Sequence, residues 1–432
     1  MLPKSILTFT SISLLTLSTL HAAKFETLGY KSISMGGASV ANSTGSMATY
    51  NNPALLAANT YAVEVSVGVG VAEQDYGAGA SIADLNDLGF LDTLDKASED
   101  PTSLSADERQ ALVDASAILI NMDGDSISLL PQAYLSAQLG SFGMGLFSSS
   151  DTLVSANVDQ DHDRLIFENN DGTYSEIDSN GNIIAATAAD YNNYSIVLAI
   201  NDGLSYLDVQ GAVLAEVPLG YGHSFETNIG DIMVGGTLKY MEVLTYVDKY
   251  NVDGSGQIDS TTDVRRDKRS SNFGIDIGLA YRPAFDYDLT LGVVAKNLNA
   301  PTFDYYDGSE YTIDPLVRAG LAYNIIDSLE IAADIDLTSN KTLNPELDSK
   351  MVGGGLSFEP FSNLFALSVR GGLMKNLDKN DKAGLIYTAG LGFGLKWIQI
   401  DLSAELSDNV STADSTTVPQ YAKVNLALIS RW

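Results

Sequence analysis

The 432-residue sequence contains no cysteine, which excludes a disulfide framework and any cysteine-ligated metal site. Histidine occurs only at His21, His162 and His223, leaving little material for a His-based zinc site or a hydrolytic triad. Lys and Arg number 24 against 55 Asp and Glu, a net charge of −31. No basic field is available to hold a phosphate backbone, so no nucleic-acid partner is expected. Long hydrophobic runs are also missing. Beyond the N-terminus nothing reaches about 18 consecutive apolar residues, which excludes a helical membrane protein. Charged residues make up only 18% and are concentrated rather than interspersed, unlike those of an ordinary soluble protein.

What is present begins with an export segment. In 1–23 Lys4 is the lone charge, Ile6 to Leu20 is apolar but diluted with Ser and Thr, and small residues follow at Ala22 and Ala23. This reads as a signal peptide. The alternative, an N-terminal anchor helix, needs about 20 apolar residues, and this stretch is shorter. The exported product is then either soluble or crosses a membrane as strands.

Alternation decides between the two. From Val63 to Val71 every odd position is Val and every even one is polar or Gly, and the same period of two runs through Phe273 to Tyr281 and Ile398 to Leu406. Such segments recur near 62–72, 128–139, 142–153, 206–217, 231–246, 270–282, 286–298, 314–324, 328–338, 349–358, 365–376, 384–397, 398–408 and 420–432, fourteen in all. A membrane-spanning strand needs about 9 to 11 residues, and single-chain bacterial barrels have an even strand number. The expected fold is all-β: a transmembrane antiparallel β-barrel of about 14 strands over 62–432.

The connections agree. Short ones at 140–141, 283–285, 325–327, 359–364 and 397/398 alternate with longer polar ones, as periplasmic turns alternate with external loops. Only 218–230 is long for its place. Phe142, Tyr281, Tyr287, Tyr323, Phe358, Phe365, Trp397 and Trp432 fall at the periplasmic strand ends on the apolar face, where an aromatic girdle would lie. A soluble β-sandwich explains the alternation but neither of these regularities. Outer-membrane lipid and lipopolysaccharide are the partners this surface implies. Val424, Leu426, Leu428 and Trp432 end the chain on an aromatic, which resembles the assembly signal read by the barrel assembly machinery, although Ser430 interrupts the face.

The opposite face supplies the lumen. Glu330, Asp334, Asp336, Asp401 and Glu405 would point inward with Arg318, Arg370, Lys396, Lys423 and Arg431. Mixed signs favour cross-strand pairs that neutralise one another over a selectivity ring, which would carry one sign.

Before the first strand, 24–61 is neither strand-like nor charged. It holds Ser34-Met35-Gly36-Gly37-Ala38-Ser39-Val40-Ala41 and then Tyr50-Asn51-Asn52-Pro53-Ala54-Leu55-Leu56. Gly36 and Gly37 lack the Lys and the strand-to-helix setting of a phosphate loop. The pair of stretches resembles the N-terminal hatch of the long-chain fatty-acid transporter (FadL-like) superfamily of outer-membrane barrels. Within it the resemblance is closest to the TraF-type plasmid conjugative-transfer branch. It implies a lumenal hatch at 24–61 whose turn is Asn52, Pro53 and Ala54, a hydrophobic small-molecule ligand, and conjugation-system proteins as partners.

The connection 73–127 is too long to lack structure. Ile82, Leu85, Leu88, Leu91 and Leu94 recur every third residue, and Ser105-Ala106-Asp107-Glu108 has capping-box spacing before Leu112, Val113, Ala115, Ile118 and Leu119. Two extracellular helices are expected, with apolar faces that either pack on each other or, as the resemblance implies, form a groove for a hydrophobic substrate. Acids exceed bases by eleven in 73–127 and by eight in 154–205. Asp159, Asp161 and Asp163 alternate like part of a calcium loop, but Arg164 stands where Gly is needed and no Glu closes the loop; Asn251 to Gly256 has the Gly without the Glu. No metal, cofactor or enzymatic activity is expected. Two readings of function stay open: a plugged channel for passive passage of small hydrophobic molecules, and a non-transporting accessory barrel of a conjugative transfer or secretion system.

Overall fold

The computed structural model describes residues 26–58, 61–252, 258–260, 266–286, 288–306, 309–342, 347–360, 365–395, 397–413 and 416–432. The signal segment, Tyr287, Lys396 and Asp253 to Gly256 lie outside them. Fourteen long strands carry the architecture: β1 Val63–Asp75, β2 Ser126–Leu139, β3 Phe142–Asn157, β4 Tyr206–Thr227, β5 Gly230–Val252, β6 Arg266–Pro283, β7 Leu289–Lys296, β8 Leu316–Ile326, β9 Leu329–Asp336, β10 Met351–Phe358, β11 Phe365–Asn376, β12 Leu385–Leu395, β13 Ile398–Ser407 and β14 Tyr421–Arg431. Each pairs antiparallel with the next, and β14 pairs with β1 from Arg431 opposite Glu64 to Tyr421 opposite Gln74, closing the barrel.

Closure leaves no unpaired edge along the seam and gives each strand two faces. The faces are inverted relative to a soluble protein. Val67, Val69 and Val71 are 41–57% exposed on the outside, whereas Glu64 and Ser66 are buried within. Phe142, Phe358, Phe365, Trp397 and Trp432, all 45–59% exposed, ring the end of the barrel that carries the short turns; Tyr281 and Tyr323 there are half-buried. An apolar outer belt with an aromatic rim suits a surface surrounded by lipid.

The expected long connection at 218–230 is instead strand. β4 continues through Pro218, Gly220 and Gly222 to Thr227 and turns within two residues to Gly230. Pro218 lacks an N–H, and the β3–β4 ladder is interrupted there, with no pairing between Phe147 opposite Glu216 and Met144 opposite Leu219. The β5 side of the ladder is continuous, so the strand survives.

At the opposite end the long loops fold. After α1 Tyr30–Ser34 and α2 Ala48–Asn51 in the N-terminal segment, the insertion after β1 forms three helices rather than two: α3 Ala78–Asp87, α4 Phe90–Glu99 and α5 Ala106–Asn121. Gly89, at φ 60°, breaks the first two apart. The Ser105–Glu108 capping box is formed, with the Glu108 amide donating to Ser105 Oγ at 3.3 Å and the Ser105 amide donating to Glu108 Oε2 at 2.8 Å. A small sheet (Leu165–Glu168, Tyr174–Ile177, Ile183–Ala186) and two short helices, α6 Ala188–Tyr194 and α7 Ile196–Asn201, complete a cap. Its core joins Phe90, Leu94, Leu112, Phe167, Ile177 and Ile196. The helical apolar faces pack on each other and on this sheet.

Candidate functional site: the occupied lumen

The segment from Glu26 to Ala58 lies inside the barrel. It is built from short helical pieces, Tyr30–Ser34, Gly45–Met47, Ala48–Asn51 and Pro53–Ala58, none long enough to stand alone in water. They persist because the wall holds them. Asn52 ties the turn together: its Nδ2 donates to Val40 O at 2.7 Å, and its Oδ1 accepts from the Ala54 amide at 3.1 Å. This turn rests on bare backbone. A Cβ at Gly235 of β5 would sit 2.2 Å from Pro53 C, and one at Gly278 of β6 would sit 1.9 Å from Asn52 Oδ1. On the other side Gly36, at φ 63°, approaches β10 and β11 so closely that a Cβ would meet Leu373 O at 2.3 Å.

Carboxylates of the wall meet the donors of the plug. Asp334 Oδ2 accepts from the Ser39 and Val40 amides at 2.8 and 3.0 Å. Glu330 accepts from Lys31 at 3.0 Å and from Asn42 Nδ2 at 2.9 Å. Glu64 accepts from the Ser46 amide at 2.9 Å and is paired with Arg431 at 2.9 Å; Arg431 also donates to Tyr30 Oη at 2.6 Å. Lys423 donates to Thr27 O at 2.8 Å rather than to Glu405, whose carboxylate accepts from Tyr421 Oη at 2.7 Å.

The remaining lumenal charges pair along the wall. Arg318 meets Asp336 at 2.6 Å, and Arg370 meets Asp401 at 2.6 Å and Glu359 at 2.8 Å. Burial pushes the Glu359 carboxyl up, but Arg370 and Lys31 overcome it and hold it down to about 2. A second cluster, missed in the sequence, lies in β4 to β7. Lys239 is buried between Glu216 at 2.7 Å and Asp276 at 3.2 Å, and Lys296 Nζ stands 3.3 Å from the centre of the Tyr50 ring. All four charged residues alternate with outward apolar ones, so the period of two that located the strands also marks them.

Little free space remains. Below the plug, toward the short turns, a cavity of about 300 Å³ is lined by Lys31, Glu64, Gln138, Glu359 and Arg431. Above it are two cavities of about 70 and 60 Å³. A hairpin of Thr302–Asp304 and Glu310–Thr312 helps close the upper lumen, with Phe303, Tyr311 and Ile313 packed on Ala212, Met241 and Val243.

In the candidate calcium loop Asp159 is engaged by its own chain. Asp159 Oδ1 accepts from the Asp161 and His162 amides at 3.0 and 3.1 Å and lies 2.8 Å from His162 Nδ1. Partial burial pushes its carboxyl up, and the His162 hydrogen bond and these amides bring it net below its usual range. Among the described residues no group of three or more acidic or His side chains could hold a metal ion. His223 is exposed on the outer face between Tyr221 and Phe225.

Compared with known proteins, residues 49–336 match the sequence family described as "F plasmid transfer operon, TraF, protein". No curated protein matches. Among solved structures, the chain is similar to a "TodX deltaS2S3 mutant monoaromatic hydrocarbon channel" at 12% identity, with 94% of this chain and 99% of that one covered and a TM-score of 0.51. A "TodX monoaromatic hydrocarbon channel deltaS2 mutant" matches at 12% identity over 95% and 100% of the two chains, also with a TM-score of 0.51. The Pseudomonas putida toluene transporter TodX itself gives 12%, 95%, 99% and 0.48. At this identity the likeness is one of fold: a FadL-type barrel.

Proposed function

Given that the chain belongs to the TraF family of the F plasmid transfer operon, we propose that it is an outer-membrane barrel that passes a small hydrophobic molecule once its plug moves. The observation that carries this reading is how the plug is held. Among the described residues its wall contacts are hydrogen bonds, ion pairs, close glycine contacts and apolar packing, as of Leu55 and Leu56 on Met233 and Ala280, and no disulfide to the wall is available in a chain without cysteine. The polar contacts among these exchange for water or for each other when the plug shifts. The structural neighbours named as hydrocarbon channels support a solute of that kind.

Planar-bilayer conductance tests this. Deleting residues 24–61 from a barrel that still refolds is expected to raise conductance, and so is the milder pair Glu330→Ala with Asp334→Ala. No rise in either would count strongly against a gating plug. A second reading, an accessory barrel of a conjugation apparatus, is favoured by the cap, whose helices bury their apolar faces instead of lining a groove. Co-purification of a conjugation-system protein with the intact barrel, lost when the cap is removed, would support that reading instead.

A further inference from the structure

At the loop end a vestibule of about 500 Å³ opens among Asp123, Asp125, Asp208, Gln210, Asn380 and Lys382. The cavity of about 70 Å³ above the plug lies on its inner side, lined by Glu26, Asp151, Asp381 and Lys423 among hydroxyls and amides. Tyr76 and Leu347 line both spaces. With Leu153 they form one buried apolar cluster, each side chain 3–8% exposed. Two polar spaces are thus divided by a thin apolar partition.

The three side chains come from different places. Tyr76 follows β1 directly, Leu153 belongs to β3, and Leu347 stands in the loop between β9 and β10, its carbonyl held by Thr342 Oγ1 at 2.8 Å. Lys382, from the loop after β11, donates to Tyr76 O at 3.2 Å and ties the partition to the far wall. The acceptor chemistry beside it is incomplete. Asp75 is 1% exposed, and while its Oδ1 accepts from the Gly77 and Gly79 amides, its Oδ2 is buried with no hydrogen-bond partner. Asp125 flanks the same turn: a Cβ at Gly77 would lie 2.6 Å from its Oδ1.

We propose that the vestibule is the entry site of the transported solute, and that Tyr76, Leu153 and Leu347 form an outer gate in series with the plug that admits cationic amphiphiles and rejects anionic ones. The reading rests on passage through the barrel as proposed above. An apolar partition slows hydrated ions without stopping them and yields more readily to an apolar body. Carboxylates on both of its sides attract a positive head and repel a negative one.

The test uses the full chain in planar bilayers, with phenyltrimethylammonium and benzenesulfonate as permanently charged probes. Four proteins are compared: wild type, the Glu330→Ala/Asp334→Ala plug variant, the Leu153→Ala/Leu347→Ala gate variant, and the combination. The expected result is a severalfold higher conductance in the combination than in the plug variant alone. The reversal potential in a gradient of phenyltrimethylammonium chloride should show cation selectivity, which Asp123→Asn with Asp208→Asn should reduce. If the plug variant conducts and the gate substitutions add nothing, or benzenesulfonate passes as readily, the outer gate is wrong while passage stands. If no variant conducts, both readings fall. Heat-dependent gel migration identifies any variant that fails to form a barrel, and Leu153→Val with Leu347→Val then replaces the alanine pair.

Discussion

Gly235 faces the plug and its neighbour Gly236 does not, which makes them a matched pair. A Cβ on Gly235 would collide with the Pro53 backbone at 2.2 Å, where no flexible side chain can give way, whereas one on Gly236 meets nothing closer than Asp276 O at 3.7 Å. Gly235→Ala is therefore expected to dislodge the Asn52 turn, seen as faster hydrogen exchange at the Ala54 and Leu55 amides with the barrel melting temperature retained. Gly236→Ala should be silent. Equal effects from the two would show that strand flexibility, not the cradle, is what matters. Arg370 and Asp401 make a contrasting pair, both almost fully buried. Removing one partner of a buried pair leaves a charge uncompensated, at a cost of about 3–5 kcal/mol. Asp401→Asn should fall at the low end of that range in urea unfolding, because Glu359 stays with Arg370.

At the scale of elements, α5 shows how local chemistry fixes a boundary. The Lys96 hydrogen bond first, then the Ser105 amide and hydroxyl, lower the Glu108 carboxyl from 4.5 to about 2. A group lowered on folding adds stability above its unfolded value and loses it as pH falls through the folded one. The first turn of α5 should therefore loosen between about pH 4.5 and 2, with exchange of the Ala106–Asn121 amides as the readout, and Glu108→Gln should remove most of that dependence. A transition unchanged by Glu108→Gln would place the responsible group elsewhere in the cap. This cap was legible in the sequence because Ser105 and Glu108 are three residues apart. The break at Gly89 was not, since Leu85, Leu88 and Leu91 keep their spacing across it. Strands were legible wherever period two ran unbroken. The end of β4 was hidden because Pro218, Gly220 and Gly222 on its lumenal face have the composition of a turn, although Val217, Leu219, Tyr221 and Phe225 keep its outer face apolar, and there the pairing with β5, not the local composition, decides. The wall of the site was legible only in part. Arg370 and Asp401 announce themselves as charges on an inward face, but the partner of Gly235 is Pro53, and nothing local marks a contact made across the lumen.

For the molecule as a whole the decisive step is closure. The seam joins the first strand to the last, with Glu64 and Arg431 paired across 367 positions of sequence. So distant a contact pays a large loop-closure entropy and is expected to form late. Trp432 sits at its end: its amide donates to Val63 O at 2.9 Å, and its carbonyl accepts from the Ala62 and Val63 amides at 3.0 and 3.1 Å. Its ring lies in the aromatic rim, 59% exposed. Deleting Trp432 removes the backbone bonds and the ring together, whereas Trp432→Ala removes only the ring. If the ring is read by the assembly machinery, both variants should lower the yield of inserted barrel in membranes containing that machinery, and Trp432→Phe should restore it. In detergent refolding, where no machinery acts, Trp432→Ala should fold like wild type and only the deletion should slow, because only the deletion opens the seam. Equal yields for wild type and Trp432→Ala in the first assay would show that Trp432 closes the barrel without being read as a signal. The plug also bears on this order of events. Tyr30 takes a hydrogen bond from Arg431 and Ser46 donates to Glu64, the two wall residues paired at the seam. The seam and the plug are therefore stabilised together, and variants that loosen the plug at Ser46 should also lower the temperature at which the seam opens.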